Sequence, residues 1–92
     1  MKREDIEYGE KKVELTRLYP FGETTEVDGK KVTVVRLKEL NGHDNVAMAR
    51  EIESGKMAGY IQISASAGID YTDALDLADK DSNLLAEALQ DF

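Results

Sequence analysis

Two hydrophobic periods follow one another along the chain. From Lys12 to Tyr19, Val13, Leu15 and Tyr19 alternate with polar neighbours, a period of two that predicts a strand. Lys31 to Leu37 (KVTVVRL) is denser in β-branched residues and predicts a second. From Leu77 onward the period lengthens to three or four. Leu77, Asp81, Leu84, Leu85, Ala88, Leu89 and Phe92 fall on one face of a helix, and Lys80, Asn83, Glu87, Gln90 and Asp91 on the other. Asp81 alone interrupts the apolar face.

Punctuation joins these segments. Asp28-Gly29 suits a two-residue type I′ hairpin turn, where both positions need positive φ. That turn sets Val27 opposite Lys30, Glu26 opposite Lys31 and Thr25 opposite Val32. Pro20, with no amide to give a ladder, ends or bends the first strand or lies on an edge. Asn41 followed by Asp44 caps a helix over His43–Ser54, with Val46, Ala49 and Ile52 as its apolar side and Gly55 beyond it. A second helix runs over Lys56–Ala67, with Met57, Tyr60, Ile61, Ser64, Ala65 and Gly68 on one face and Gly68 closing it. Thr72 caps a short turn through Leu77, and Asp79 or Ser82 caps the last helix. The expected architecture is one α+β domain over residues 1–92. An N-terminal antiparallel hairpin or small sheet (residues 12–38) precedes three to four helices (residues 43–92) packed on one side. Residues 1–11, polar but for Ile6, Tyr8 and the leading Met1, read as a flexible lead-in.

Composition narrows the function. With 92 residues, a single small core buries about two thirds of the unfolded chain's surface. No run approaches the roughly 20 apolar residues of a membrane span. The start lacks the apolar stretch of a signal peptide, so a cytoplasmic location is expected. Without cysteine there are no disulfides or thiolate zinc sites. The net charge of −7 is uneven: residues 1–56 hold twelve acidic and eleven basic side chains, residues 57–92 seven acidic side chains and only Lys80. Such a lobe repels nucleic-acid backbones, and it suits a basic partner, a mimic of nucleic-acid phosphates, or solubility alone.

Candidate chemistry is sparse. His43, the single histidine, sits beside Asp44 at a helix start, which reads as solvated rather than catalytic. The serines of Ser64-Ala65-Ser66-Ala67-Gly68 lack the glycine two positions ahead that a nucleophile elbow needs. Asp79-Lys80-Asp81-Ser82-Asn83 begins like a calcium loop, but Leu84 replaces the turn glycine and Gln90 the bidentate glutamate. Helix capping and the dipole explain this acidic cluster better. No catalytic residue, cofactor site or metal site is expected, and the chain does not read as an enzyme.

One resemblance spans most of the chain. Tyr19-Pro20 ends a first strand; Val27-Asp28-Gly29-Lys30 leads into a valine-rich strand reaching Arg36-Leu37. Gly42-His43-Asp44 opens a helix, and Ile63–Ile69, then Ala74-Leu75-Asp76-Leu77-Ala78-Asp79, precede a helix ending at Phe92. This order resembles the small tail assembly chaperones of contractile-tailed, Mu-type bacteriophages and related prophages. The chain departs from that pattern in lacking a proline soon after Arg36, and in carrying small residues at Ser64–Ala67. The resemblance implies a non-enzymatic role in the host cytoplasm: holding the aggregation-prone tape measure protein before tail-tube subunits assemble, with no place in the finished virion. A frameshift-extended longer form and a homo-oligomer are further partners it leaves open; nucleic acid and membrane are not expected. The ridge of Leu84, Leu85, Ala88, Leu89 and Phe92 is the candidate partner-binding surface. For Leu84, Leu85 and Leu89 the core reading is favoured over the interface one, and Phe92 reads as the residue left exposed. The rival reading is a small acidic adaptor, inhibitor or DNA mimic from a mobile element.

Overall fold

A computed structural model describes residues 9–92; Ile6 and Tyr8 lie outside the described residues. Its centre is β3 (Lys30–Lys38), flanked by β1 (Glu10–Glu14) and β2 (Glu23–Val27) in an antiparallel sheet of order β1-β3-β2. The hairpin has the expected register: Val27 faces Lys30, Glu26 faces Lys31 and Thr25 faces Val32. Asp28 (φ 52°) and Gly29 (φ 79°) both take the left-handed conformation that a type I′ turn demands. Four helices follow, α1 (Gly42–Glu53), α2 (Ala58–Ala67), α3 (Tyr71–Leu75) and α4 (Asp79–Gln90), completing the α+β architecture.

The first strand differs from expectation at both ends. It begins at Glu10, so Glu10 and Lys11 belong to the sheet rather than to the lead-in. It ends at Glu14, five residues before Tyr19. Two ladder-like bonds persist, Leu15 N–H to Thr33 O and Thr33 N–H to Arg17 O. Side chains then replace the ladder. Thr16 gives its amide to Asp81, and Tyr19 gives its amide to the Thr33 hydroxyl, which donates back to the Tyr19 carbonyl. Gly22 (φ 77°) then turns the chain so close to β3 that a Cβ there would lie 2.8 Å from the Val34 carbonyl oxygen.

Strand alternation sends Leu15, Val35 and Leu37 to the inner face, where Ile63, Leu77 and Leu85 from the helices meet them. Ala74 of α3 is fully buried in the same cluster. On the other face Val34 lies between Glu14 and Glu23 on the flanking strands, and Arg36 pairs with Glu23 (3.0 Å) and Glu10 (3.6 Å) across all three strands. These exposed pairs contribute roughly 0–1 kcal/mol each.

The helices correct several expectations. α1 is capped by Asn41 as expected: its side chain accepts from Asp44 N–H, and the Asp44 carboxylate accepts from Asn41 N–H, closing a capping box. Its buried residue is Met48, however, while Val46, Ala49 and Ile52 are exposed. The three apolar residues formed too thin a stripe to set the helix's rotation. The Lys38–Asp44 pair (3.7 Å) and the longer, adaptable Met48 side chain accompany the opposite rotation.

α2 starts at Ala58 rather than Lys56 and ends, as expected, at Gly68 in the left-handed conformation. It buries Ile61, Ile63 and Ser66 instead of one face running from Met57 to Gly68, because α1, α3, α4 and β3 pack around it. α3 is capped by Asp70 rather than Thr72, and α4 by Ala78 rather than Asp79 or Ser82. Neither cap residue makes a side-chain hydrogen bond. The Ser82 hydroxyl instead donates to the Asp79 carbonyl within the first turn of α4.

Candidate binding surface

Asp81 is fully buried, and it ties the start of α4 to the exit from the sheet. Its Oδ1 accepts from the Thr16 amide and hydroxyl, both at 2.8 Å, and its Oδ2 accepts from the Tyr19 hydroxyl at 2.5 Å. The same hydroxyl accepts from Ala78 N–H (3.0 Å), an amide with no partner inside the helix. Tyr19 therefore caps α4 from 59 residues away. Burial pushes the Asp81 carboxyl up, but the bonds from Tyr19 and Thr16, aided by the charge of Arg17, hold it below the ordinary carboxylate value. Burial, then the bond to Asp81, raises the Tyr19 hydroxyl above its ordinary value. Among the described residues every buried side-chain nitrogen and oxygen has a hydrogen-bond partner. The serines of α2 have structural partners too: Ser64 donates to Ile69 O and Ser66 to Lys38 O.

The five candidate partner-binding residues separate. Leu85 is fully buried in the core; Leu84, Ala88 and Leu89 are half-buried, Ala88 and Leu89 against that core. Phe92 is 40% exposed. Its ring lies against Gly9, and Lys11 Nζ sits 4.9 Å from the ring centroid while donating to the Ala88 carbonyl (3.1 Å). The lysine thus satisfies a helix-end carbonyl and stacks on the aromatic face.

Accessible apolar surface lies beside this ridge. Between α2 and α4 runs a groove made of two hollows. One, of about 220 Å³, is walled by Met57, Tyr60 and Ile63 of α2 and by Asn83 and Ala86 of α4. The other, of about 440 Å³, is walled by Gln62, Ala86, Leu89 and Phe92, with Leu40 and Glu39 at its end. Ala86 lines both, so the two adjoin at that residue. Met57 stands 62% exposed at the rim, its amide donating to the Tyr71 hydroxyl (3.0 Å). A third hollow, about 310 Å³ between α1 and α2, has charged walls, of which Lys56 pairs with Glu51 and Asp44 closes the cap of α1, with Asp70 beside them. On α1, Val46 is 58% exposed.

The periodicity of α4 marked its buried face and so missed Ala86, which lies outside that stripe. The uncharged composition of α2 (AGYIQISASA) was the available signal for the other wall. No helix among the described residues is long and apolar enough to cross a membrane. No family model, curated protein or solved structure matches the chain.

Proposed function

We propose that this chain is a non-enzymatic binding protein of phage or prophage tail assembly, a chaperone for the tape measure protein that acts in the host cytoplasm. The observation that carries the reading is the apolar area on the helical layer: Val46, Met57, Leu75 and Phe92 all keep large parts of their side chains in solvent. A protein that holds long amphipathic helices reversibly needs such area, bordered by charge that keeps the holder itself dispersed. The acidic surplus after Lys56 supplies that border. The buried polar groups are hydrogen-bonded within the fold, Asp81 above all, which supports a structural role for them. The resemblance of the Val27–Lys30 turn and the Ala74–Asp79 segment to tail assembly chaperones names the partner.

Co-expression with the tape measure protein of the same element tests it. The long protein should become soluble and co-purify with this chain. Capture of a DNA-binding protein instead, with the tape measure protein left insoluble, would establish the acidic adaptor or DNA mimic.

A further inference from the structure

We propose that the groove between α2 and α4 is where a partner docks, and that its occupant is an amphipathic helix with apolar side chains at i, i+3 or i+4 and i+7 and basic residues along its flanks. The inference rests on the reading of the chain as a holder of helical segments, and it names the place and the chemistry of the contact.

Three observations lead there. The first is shape. From Ser82 to Phe92 the groove follows α4 for about 15 Å, at 1.5 Å per residue, the length of two to three turns of a second helix. Two hollows, one on either side of Ala86, suit side chains from successive turns of such a helix.

The second is chemistry. Met57, Tyr60, Leu89 and Phe92 line the walls, and Met57 is flexible enough to mould to different knobs. Ala86 in the middle, with no bulk, lets a second backbone come close.

The third is charge. α2 carries no acidic or basic side chain, and no lysine or arginine is among the described residues lining either hollow. Glu39 lines one end of the groove, and of the charges that α4 carries outside the hollows Asp79 and Glu87 outnumber Lys80. Lys11, near the far end, is turned onto Ala88 and Phe92. Basic flanks on the incoming helix complement this border, and acidic flanks are repelled.

The test uses the whole chain and two synthetic helices of about 18 residues, one of leucine and lysine, the other of leucine and glutamate at the same positions. Backbone amide NMR shifts are followed during titration. The leucine–lysine helix should move the amides of Met57–Ile63 and Asn83–Phe92. Ala86→Arg should weaken it about tenfold or more, and Asn45→Arg, exposed on α1 and outside the apolar area, should leave it within about twofold. Gln62→Arg, on the opposite wall and also exposed, is the second variant should Ala86→Arg lower the melting temperature. The proposal is overturned if the shifts centre on α1 or α3, if the leucine–glutamate helix binds as tightly, or if the folded groove variants bind like the parent. A groove variant that still holds the tape measure protein sinks the groove and spares the chaperone reading. A groove that takes the leucine–lysine helix in a chain that does not retain the tape measure protein spares the groove alone.

Discussion

Asp81 occupies a position on α4 where the spacing calls for an aliphatic residue, and the competing energies explain why a carboxylate is tolerated. Removing a charge from water costs several kcal/mol. Three hydrogen bonds to that charge, at about 1.5–3 kcal/mol each, offset the cost. Asp81→Asn keeps the shape but turns an amide group toward the Tyr19 hydroxyl. It should destabilise by about 1–3 kcal/mol in urea unfolding, and Asp81→Ala, which strands three donors, by more. The pH dependence follows from the same contact. Asp81 titrates below its ordinary value of 3.8 in the fold, so its contribution is present above that value and is lost as pH falls through the lower folded one. Tyr19 is raised above 10.0, so its contribution is present below pH 10.0 and fades as pH climbs through the higher folded value. Melting temperatures measured across pH should fall at both ends in the parent, and the acid loss should shrink in Asp81→Asn. Two glycines of similar φ make a second comparison at this scale. Gly29 has open space around a added Cβ, whereas at Gly22 it would strike the Val34 carbonyl. Gly29→Ala should cost about 1 kcal/mol for the left-handed backbone alone, and Gly22→Ala clearly more, read by thermal unfolding.

The elements differ in how much of their placement their own residues carry. The β2–β3 hairpin was readable because Asp28-Gly29 selects one turn, and that turn fixes every pair up to the edge of the sheet. The start of α1 was readable for the same local reason, an asparagine and an aspartate three positions apart. Its rotation was not, because Val46, Ala49 and Ile52 compete with a single Met48, and α2, against which α1 packs, lies outside the helix. Asp81 was visible as a fault in an apolar stripe, but its partners lie 62 and 65 residues away, beyond any local pattern. The turn-forming role of Gly22 escaped notice for a similar reason, since the close approach comes from β3. For α4 the periodicity separated in from out and left core and interface undivided. The structure divides them: Leu85→Ala should cost about 2–5 kcal/mol, as a cavity in the centre of the core, and Phe92→Ala about 1 kcal/mol or less. Equal losses in chemical denaturation would mean that the C-terminal ring is core as well.

At the scale of the molecule, a three-stranded sheet with one face against helices commits Leu15, Val35, Leu37, Ile63, Leu77 and Leu85 to a single cluster. What remains outside that cluster is unevenly distributed. On the open face of the sheet Arg36 pairs with Glu10 and Glu23, and the hollow beside Val34 is otherwise walled by polar and charged residues. Leu18 is exposed between β1 and β2, but more of the exposed large apolar residues, Val46, Ile52, Met57, Leu75 and Phe92, belong to the helical side. That asymmetry is why the helices, rather than the sheet, are assigned the contact with a partner. Hydrogen–deuterium exchange on the chain alone and on the chain co-purified with the tape measure protein measures this most directly. The account predicts added protection in residues 57–63 and 82–92, with the hairpin at Val27–Lys30 unchanged. Added protection confined to β1–β3, or none anywhere on α2 and α4, would contradict it.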